Sequence, residues 1–164
     1  WPREEDLKRV GVMGLFLGYY HKWDVPRQLE IVKGLGWKTR LNRVETTYED
    51  YENIDCYSMH VHDYLKYVKF GFGRATDDAC RDLRNNVIDR KQAVRLVEAY
   101  DGKYPIEAVR RFCEHFKISQ DEFDKVTDGF TNRALFEMDG DKFKRDIDFS
   151  LVMKPKFAEA RRSQ

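Results

Sequence analysis

The chain has 164 residues, and its 30 lysines and arginines are balanced by 29 aspartates and glutamates, for a net charge of +1. This length fits one domain, and the charge balance argues against nucleic-acid binding through bulk positive charge, although it leaves room for a local basic patch. The longest apolar stretch, "GVMGLFLGYY", has about half the length needed to cross a bilayer, so we expect no membrane insertion and a cytoplasmic protein.

The first part of the chain predicts one strand and one helix. The apolar run at residues 10–20 suits a buried strand that ends in a loop. Asp24 can cap a helix that has Pro26 in its first turn, with Leu29, Val32 and Leu35 on one face. The next stretch, residues 37–56, has no clean period and is interpreted as a strand fragment followed by a long loop.

A helix, a glycine turn and a second helix are predicted for residues 60–86. Leu65, Val68 and Phe72 share one stripe, and Gly71 and Gly73 break the helix after it. Thr76 can cap the next helix, with Asp77 and Asp78 in its first turn. The spacing predicts that this second helix faces inward with Cys80, Leu83 and Val87.

Three more helices follow. Asp89 with Gln92 and Ser119 with Glu122 have the spacing of capping boxes, and Pro105 starts a helix between them. Their predicted inner faces comprise Ala93, Leu96, Val97, Tyr100, Ile106, Val109, Cys113, Phe116, Phe123, Val126 and Phe130. Five helices in sequence predict a mainly α domain. The mixed-charge tail at residues 137–164 has weak periodicity, and its last ten residues are expected to fray.

The cysteines and histidines predict no metal site. Cys56, Cys80 and Cys113 are odd in number and widely spaced, which suits reduced thiols and neither a disulfide framework nor a CxxC pair. His60 and His62 cannot share a metal on a helix, and no third ligand lies near them in the sequence.

Basic residues near the glycine turn are candidates for binding an anion. Lys66 and Lys69 are neighbours at i, i+3, and Arg74 follows a turn in which the backbone can approach a ligand closely. Such a surface suits a phosphate or a carboxylate. The alternative interpretation is an ordinary solvated helix face. "KFGFGRAT" fits an RNA-recognition strand poorly, because helices flank it, and it lacks the third glycine of a dinucleotide fingerprint.

Five separated blocks resemble, in order, the carboxy-terminal part of the N-acetyl sugar amidotransferases of bacterial lipopolysaccharide and surface-glycan biosynthesis. They are "FLGYYHKWD" (16–24), "YENIDC" (51–56), "HDYLKYVKFGFGRATDDAC" (62–80), "AYDGKYP" (99–105) and "FTNRALF" (130–136). The resemblance covers about residues 1–136, and the third block is distinctive even alone.

The resemblance implies an ATP-pyrophosphatase of the PP-loop type. ATP, with magnesium, would adenylate the acetamido oxygen of a nucleotide-linked N-acetyl sugar, and ammonia from a partner glutaminase would then form an acetamidino group. The family's phosphate-binding "SGGxDS" loop does not occur in this sequence. The chain therefore resembles the last third to half of such an enzyme, and by itself it is not expected to hydrolyse ATP or to need a cofactor.

The resemblance also implies an organisation and a set of site residues. Residues 1–45 would be a remnant of an α/β nucleotide-binding layer, residues 46–136 a helical carboxy-terminal domain, and residues 137–164 the tail. The residues expected to face the substrate or the nucleotide are His62 and Asp63 as catalytic groups, Lys66, Arg74, Thr76 and Asp77 as substrate-binding groups, and Tyr20 and Asp24 near the nucleotide. The alternative hypothesis is a non-catalytic helical module that docks a partner protein such as the glutaminase.

Overall fold

The computed structural model describes residues 2–163, apart from the side chains of residues 161 and 163. The chain divides into two compact units, Trp1–Trp37 and Lys38–Gln164. Within the described residues, helices account for nearly all of the regular structure and the only sheet has two short strands. The predicted mainly α fold is therefore confirmed.

The first unit contains three short helices. They are α1 (Glu4–Arg9), α2 (Leu17–Tyr20) and α3 (Val25–Gly34). As predicted, Asp24 caps α3, and its Oδ1 accepts a hydrogen bond from the backbone N–H of Arg27 at 3.1 Å. None of these helices has a buried residue.

The prediction of a strand at residues 10–20 is wrong. The described residues of this segment form a turn, irregular backbone and α2, and the side chains of Phe16 and Tyr19 are 89% and 86% exposed. An apolar run forms a buried strand only when a neighbouring strand pairs with its backbone, and residues 2–37 provide none. The assignment of this unit to the end of an α/β layer stays a prediction.

The second unit is built on the five predicted helices. They are α4 (Ser58–Phe70), α5 (Arg74–Arg84), α6 (Arg90–Tyr100), α7 (Ile106–Phe116) and α8 (Gln120–Phe130). α5 packs along α6, and α4 packs against both α7 and α8. Both predicted capping boxes are confirmed, with reciprocal hydrogen bonds between Asp89 and Gln92 and between Ser119 and Glu122.

The carboxy-terminal segment completes the core of this unit. A hairpin of β1 (Met138–Asp139) and β2 (Lys142–Phe143) follows α8, and α9 (Pro155–Ser163) occupies residues that were expected to fray. Phe136 is fully buried, and the centroid of its ring lies 5.4 Å from that of Tyr67. Phe143 of β2 and Leu151 lie in the same core, and burying one large apolar side chain stabilises a fold by about 1.5–3 kcal/mol. The predicted boundary at residue 136 stays a prediction.

The inward faces of the helices differ from the predicted stripes. α5 buries Ala75, Asp78, Ala79 and Asp82, whereas Cys80 and Val87 are exposed. Other residues predicted to face inward are also exposed, namely Val32, Leu35, Phe72, Ile106, Phe116, Val126 and Phe130. The prediction for α5 failed because apolar spacing cannot reveal a buried face made of small residues and paired aspartates.

The predicted glycine turn between α4 and α5 is confirmed. Gly71 ends α4 with φ of 83°, and its N–H donates to the carbonyl of Tyr67 at 2.7 Å. Gly73 occupies the N-cap position of α5 with φ of −117°. The proposed cap by Thr76 is wrong, because the helix begins two residues earlier, at Arg74.

We expect Gly71→Ala to lower the free energy of unfolding by about 1–3 kcal/mol. A methyl group at this positive φ is strained, and it would lie 2.8 Å from Cδ1 of Leu135. Urea unfolding followed by circular dichroism measures the loss. Gly129→Ala, in α8 with open space around the new methyl, is the control and should not destabilise the chain. Equal stability of the two variants would contradict this account of the turn.

Candidate functional site

An ion pair across the glycine turn joins α4 to α5. Arg74 donates from Nη2 to Oδ1 of Asp63 at 3.1 Å and from Nε to Oδ2 at 3.4 Å. The Asp63 side chain is 1% exposed, and that of Arg74 is 22% exposed. Burial lowers the pKa of Arg74, but its hydrogen bond and attraction to Asp63 outweigh burial and raise the pKa. Arg74 therefore stays charged, with part of its side chain open to solvent.

Three more predicted residues adjoin this pair. The ammonium group of Lys66 pairs with the carboxylate of Asp77 and lies 4.5 Å from the centre of the Phe72 ring. His62 is 66% exposed, and its Nδ1 lies 3.6 Å from Oδ1 of Asp63. We call His62, Asp63, Lys66, Arg74 and Asp77 the α4–α5 surface. The structure thus brings together five of the six predicted catalytic and substrate-binding residues.

Thr76, the sixth predicted residue, is held by Asp101 at the end of α6. The hydroxyl of Thr76 donates to Oδ2 of Asp101 at 2.6 Å, and the N–H groups of Gly73 and Thr76 donate to the same carboxylate at 3.0 and 3.3 Å. A carboxylate at a helix N-terminus is favourable because it meets free N–H groups and the positive end of the helix dipole. Asp101 therefore occupies the position at which an anionic ligand would otherwise bind α5.

The two residues predicted near the nucleotide lie in the first unit. Asp24 is the N-cap of α3, so its carboxylate already has a structural partner. Tyr20 is the last residue of α2 and is 61% exposed, with its ring centroid 5.2 Å from that of Tyr19. Their contact with a nucleotide stays a prediction.

The residues that pack along α5 and contact the α4–α5 surface through Glu52 were not predicted from the sequence. Residues 46–52, "TTYEDYE", lie along α5 and bond to its buried aspartates. The hydroxyl of Thr47 donates to Oδ2 of Asp78 at 2.6 Å, and that of Tyr48 donates to Oδ2 of Asp82 at 2.7 Å. We call this stretch the 46–52 segment. The sequence did contain a signal for this contact. Small and acidic residues recur at helical spacing in α5, and the 46–52 segment is rich in hydroxyl side chains that can donate to carboxylates.

Arg81 is the cation at the centre of this arrangement. Its guanidinium donates to the hydroxyl of Tyr51 at 2.8 Å, lies 3.2 Å from Oδ1 of Asp78, and pairs with Glu52. The Glu52 carboxylate also lies 3.8 Å from Nη1 of Arg74, so it links Arg81 to the α4–α5 surface. Burial lowers the pKa of Arg81, but the surrounding acidic groups outweigh burial and raise it.

Two carboxyl groups of this network titrate near neutral pH. Burial is the largest cause that raises the pKa of Asp78 to about 7 and that of Glu49 to about 7, and neighbouring acidic groups add to it. Burial also lowers the pKa of His60, whose Nδ1 lies 3.0 Å from the hydroxyl of Thr46. The network therefore carries fewer charges at neutral pH than its composition suggests.

The α4–α5 surface offers chemistry for a polar, anionic ligand. Lys66 and Arg74 supply charge-assisted donors, Asp77 supplies an acceptor for a hydroxyl, and His62 supplies an exposed imidazole. Among residues 2–163, no group of three or more histidines, cysteines, aspartates and glutamates is arranged to hold a metal ion. In the same part of the chain, no helix is both long and apolar enough to span a bilayer.

The fold and the surface together define a helical domain that displays a polar surface built on partly buried ion pairs. A protein-family model described as the C-terminal domain of WbpG-like LPS biosynthesis proteins matches residues 45–150. This match spans well over half of the chain, so the chain belongs to that family. The expected lipopolysaccharide-biosynthesis family and its carboxy-terminal part are thereby confirmed. A search among curated proteins found no match.

The buried carboxyl groups predict a dependence of stability on pH. Because the folded pKa values of Asp78 and Glu49 are raised from 3.8 and 4.5 to about 7, their stabilising protonation is lost as the pH rises through 7. We expect the free energy of unfolding to fall by about 1 kcal/mol between about pH 6.5 and pH 8.5.

Asp78→Asn tests the source of this slope. Asparagine does not titrate. It also removes a small contribution to the raised pKa of Glu49, which comes mainly from burial and from the charge of Asp82. Urea unfolding at both pH values should show a flatter dependence for this variant, whereas Asp141→Asn, an exposed control in the hairpin, should keep the slope of the unchanged chain. An unchanged slope in Asp78→Asn would contradict the assignment.

Proposed function

We propose that this chain is the substrate-binding, carboxy-terminal portion of an ATP-dependent N-acetyl sugar amidotransferase in lipopolysaccharide biosynthesis. The observation that supports the proposal is that the family match at residues 45–150 contains the whole α4–α5 surface, where the partly exposed cations Lys66 and Arg74 lie beside acidic groups. A nucleotide-linked sugar needs this mixture, because its diphosphate is anionic and its ring carries hydroxyl groups.

The proposed reaction replaces the oxygen of an acetamido group by nitrogen. The acetamido oxygen attacks the α-phosphorus of ATP and pyrophosphate leaves; ammonia then adds to the activated carbon, and AMP leaves with the oxygen. Activation is needed because an amide oxygen is a poor leaving group. The parent enzyme would supply the ATP and magnesium site, and a glutaminase subunit would supply ammonia. A reaction that consumes ATP in this way is proposed for the cytoplasm.

The α4–α5 surface would bind and orient the sugar nucleotide in this proposal. Lys66 and Arg74 would donate to its diphosphate or to a sugar carboxylate, and Asp77 would accept from a sugar hydroxyl while it orients Lys66. Asp63 is buried against Arg74 and would position that guanidinium. His62, with its exposed imidazole, would accept a proton from the incoming ammonia.

The remaining predicted residues take supporting parts in the proposal. Thr76, whose hydroxyl is bound to Asp101, would fix the start of α5 and so the direction of Arg74. Tyr20 and Asp24 are proposed to lie near the nucleotide in the complete enzyme.

A second candidate function is the docking of a partner protein such as the glutaminase. It is favoured by a groove of about 510 Å³ in the second unit, whose walls include the apolar side chains of Leu83, Val94, Val97 and Met153. Such a groove suits an apolar surface of another protein better than a charged sugar nucleotide. The groove also includes Phe72 and Thr76, so signals at Val94 and Val97 of α6, rather than those at residues 62–78, distinguish this candidate from the first.

We expect a nucleotide-linked N-acetyl sugar to shift the amide NMR signals of residues 62–78. The probes are UDP-linked N-acetyl sugars with and without a carboxylate on the ring. Lys66→Ala should weaken binding by about 1.5–3 kcal/mol, because it removes a charge-assisted contact. The matched control is Lys69→Ala, one turn along α4, whose ammonium group lies over the ring of Phe70. It should bind like the unchanged chain.

Two results would contradict the substrate-binding proposal. One is an absence of shifts at residues 62–78 with every sugar of the panel. The other is equal loss of affinity in Lys66→Ala and Lys69→Ala, which would indicate attraction by net charge alone.

A further inference from the structure

A second cavity, of about 320 Å³, lies in the helical unit and has no part in the proposed reaction. Its walls come from residues 40–45, 53–54 and 56–57, from His60 of α4, and from Glu107 and Ala108 at the start of α7. This volume is at the lower end of the range for small-molecule sites in proteins. The cavity therefore has room for a small ligand or for one charged group of a larger ligand.

Two residues that line this cavity each carry a buried hydrogen-bond donor that has no partner among the described residues. The donors are Nη1 of Arg40 and Nδ2 of Asn53. The other terminal nitrogen of Arg40, Nη2, donates to the carbonyls of Glu52 and Asn53 at 2.6 and 3.1 Å, so the guanidinium is fixed in place. Because buried donors without acceptors cost free energy, two of them in one wall indicate that an acceptor binds there.

The charges around the cavity also favour an anion. In the described part of the chain, Arg40 makes no ion pair with a carboxylate, and the exposed Arg43 lies in the same wall. Two glutamates, Glu45 and Glu107, also line the cavity. The charge of Glu107 is compensated, because Arg110 and Arg111 each donate to it at 2.7 Å.

His60 adds no positive charge to this cavity at neutral pH. Burial and the nearby guanidinium of Arg40 both lower the pKa of its imidazole. With Glu107 compensated, the two arginines therefore outweigh the remaining acid, Glu45. An apolar ligand or a cation would leave the donors of Arg40 and Asn53 unsatisfied, whereas an oxyanion accepts from both.

We propose that this cavity binds an oxyanion, the carboxylate or phosphate group of a small molecule, through Arg40 and Asn53. The inference does not rest on the proposed amidotransferase function. It does connect to the α4–α5 surface through Glu52, whose carbonyl accepts from Arg40 and whose carboxylate contacts Arg74 and Arg81. A single residue, Glu52, therefore links the cavity to the candidate substrate surface.

The test is a titration of the complete chain with sodium phosphate and, separately, with sodium acetate, at constant ionic strength in chloride. Amide NMR signals of residues 40–45 and 53–57 should shift with at least one anion, and the anion that binds more tightly identifies a phosphate or a carboxylate as the natural group. No saturable shift in these residues with either anion would overturn the proposal.

Asn53→Asp is the decisive variant. It exchanges the unpaired donor for a carboxylate that itself pairs with Arg40, and aspartate tolerates the left-handed backbone at this position, where φ is 51°. Loss of a donor and addition of a like charge should weaken anion binding by about tenfold or more. Asn86→Asp is the matched control, because Asn86 has φ of 57°, is exposed and does not line the cavity.

A second variant guards against a folding defect in the first. Arg40→Lys keeps the positive charge but loses the guanidinium. Only a guanidinium can donate to two carbonyls through one nitrogen and present a second nitrogen, Nη1, to the ligand. It should also weaken binding, while Asn86→Asp should retain the affinity of the unchanged chain. Unchanged affinity in Asn53→Asp or Arg40→Lys would overturn the proposal, as would an equal loss in Asn86→Asp.

Discussion

The arrangement of the helical unit depends on the charge of one half-buried arginine. Arg81, which is 16% exposed in its side chain, is surrounded by Glu49, Glu52, Asp78 and Asp82. Without this guanidinium, α5 could not keep its aspartate face buried, because uncompensated carboxylates inside a protein cost several kcal/mol each. The acidic groups outnumber the arginine, and the raised pKa values of Asp78 and Glu49 show how the excess negative charge is relieved.

This network reaches the α4–α5 surface through the contact of Glu52 with Arg74. Glu52 is held by Arg81 and contacts Arg74, which in turn is fixed by Asp63. Side chains that are held before a ligand arrives lose less conformational entropy when it binds. The same pairing has a cost for affinity, because an anion that binds Lys66 or Arg74 must compete with carboxylates that are already in contact with them.

The local signals in the sequence predicted the five helices of the second unit, the cap by Asp24, both capping boxes and the turn. Asp89 with Gln92, Ser119 with Glu122, and the glycines at 71 and 73 act through neighbours a few residues away, so their effect could be inferred without a structure. Long-range partners could not be inferred in this way. Nothing local connects Thr47 to Asp78, 31 residues later, or Thr76 to Asp101, and the buried side of α5 was consequently assigned to its apolar stripe.

The candidate site was predictable to a similar extent. The residues around the turn, from His62 to Asp77, were found because they lie close together in the sequence and include unusual combinations of charge and glycine. The supporting residues, Glu52 and Arg81, and the two donors in the second cavity were missed, because their roles depend on burial and on partners elsewhere in the chain.

Amide hydrogen exchange in Arg81→Lys tests the central role of this arginine most directly. Lysine keeps one positive charge but cannot bridge several carboxylates as a guanidinium does. We expect faster exchange in the 46–52 segment and in the first turn of α5, with α7 and α8 protected as in the unchanged chain. Unchanged protection of the 46–52 segment, or an equal loss of protection in all helices of the unit, would contradict this role.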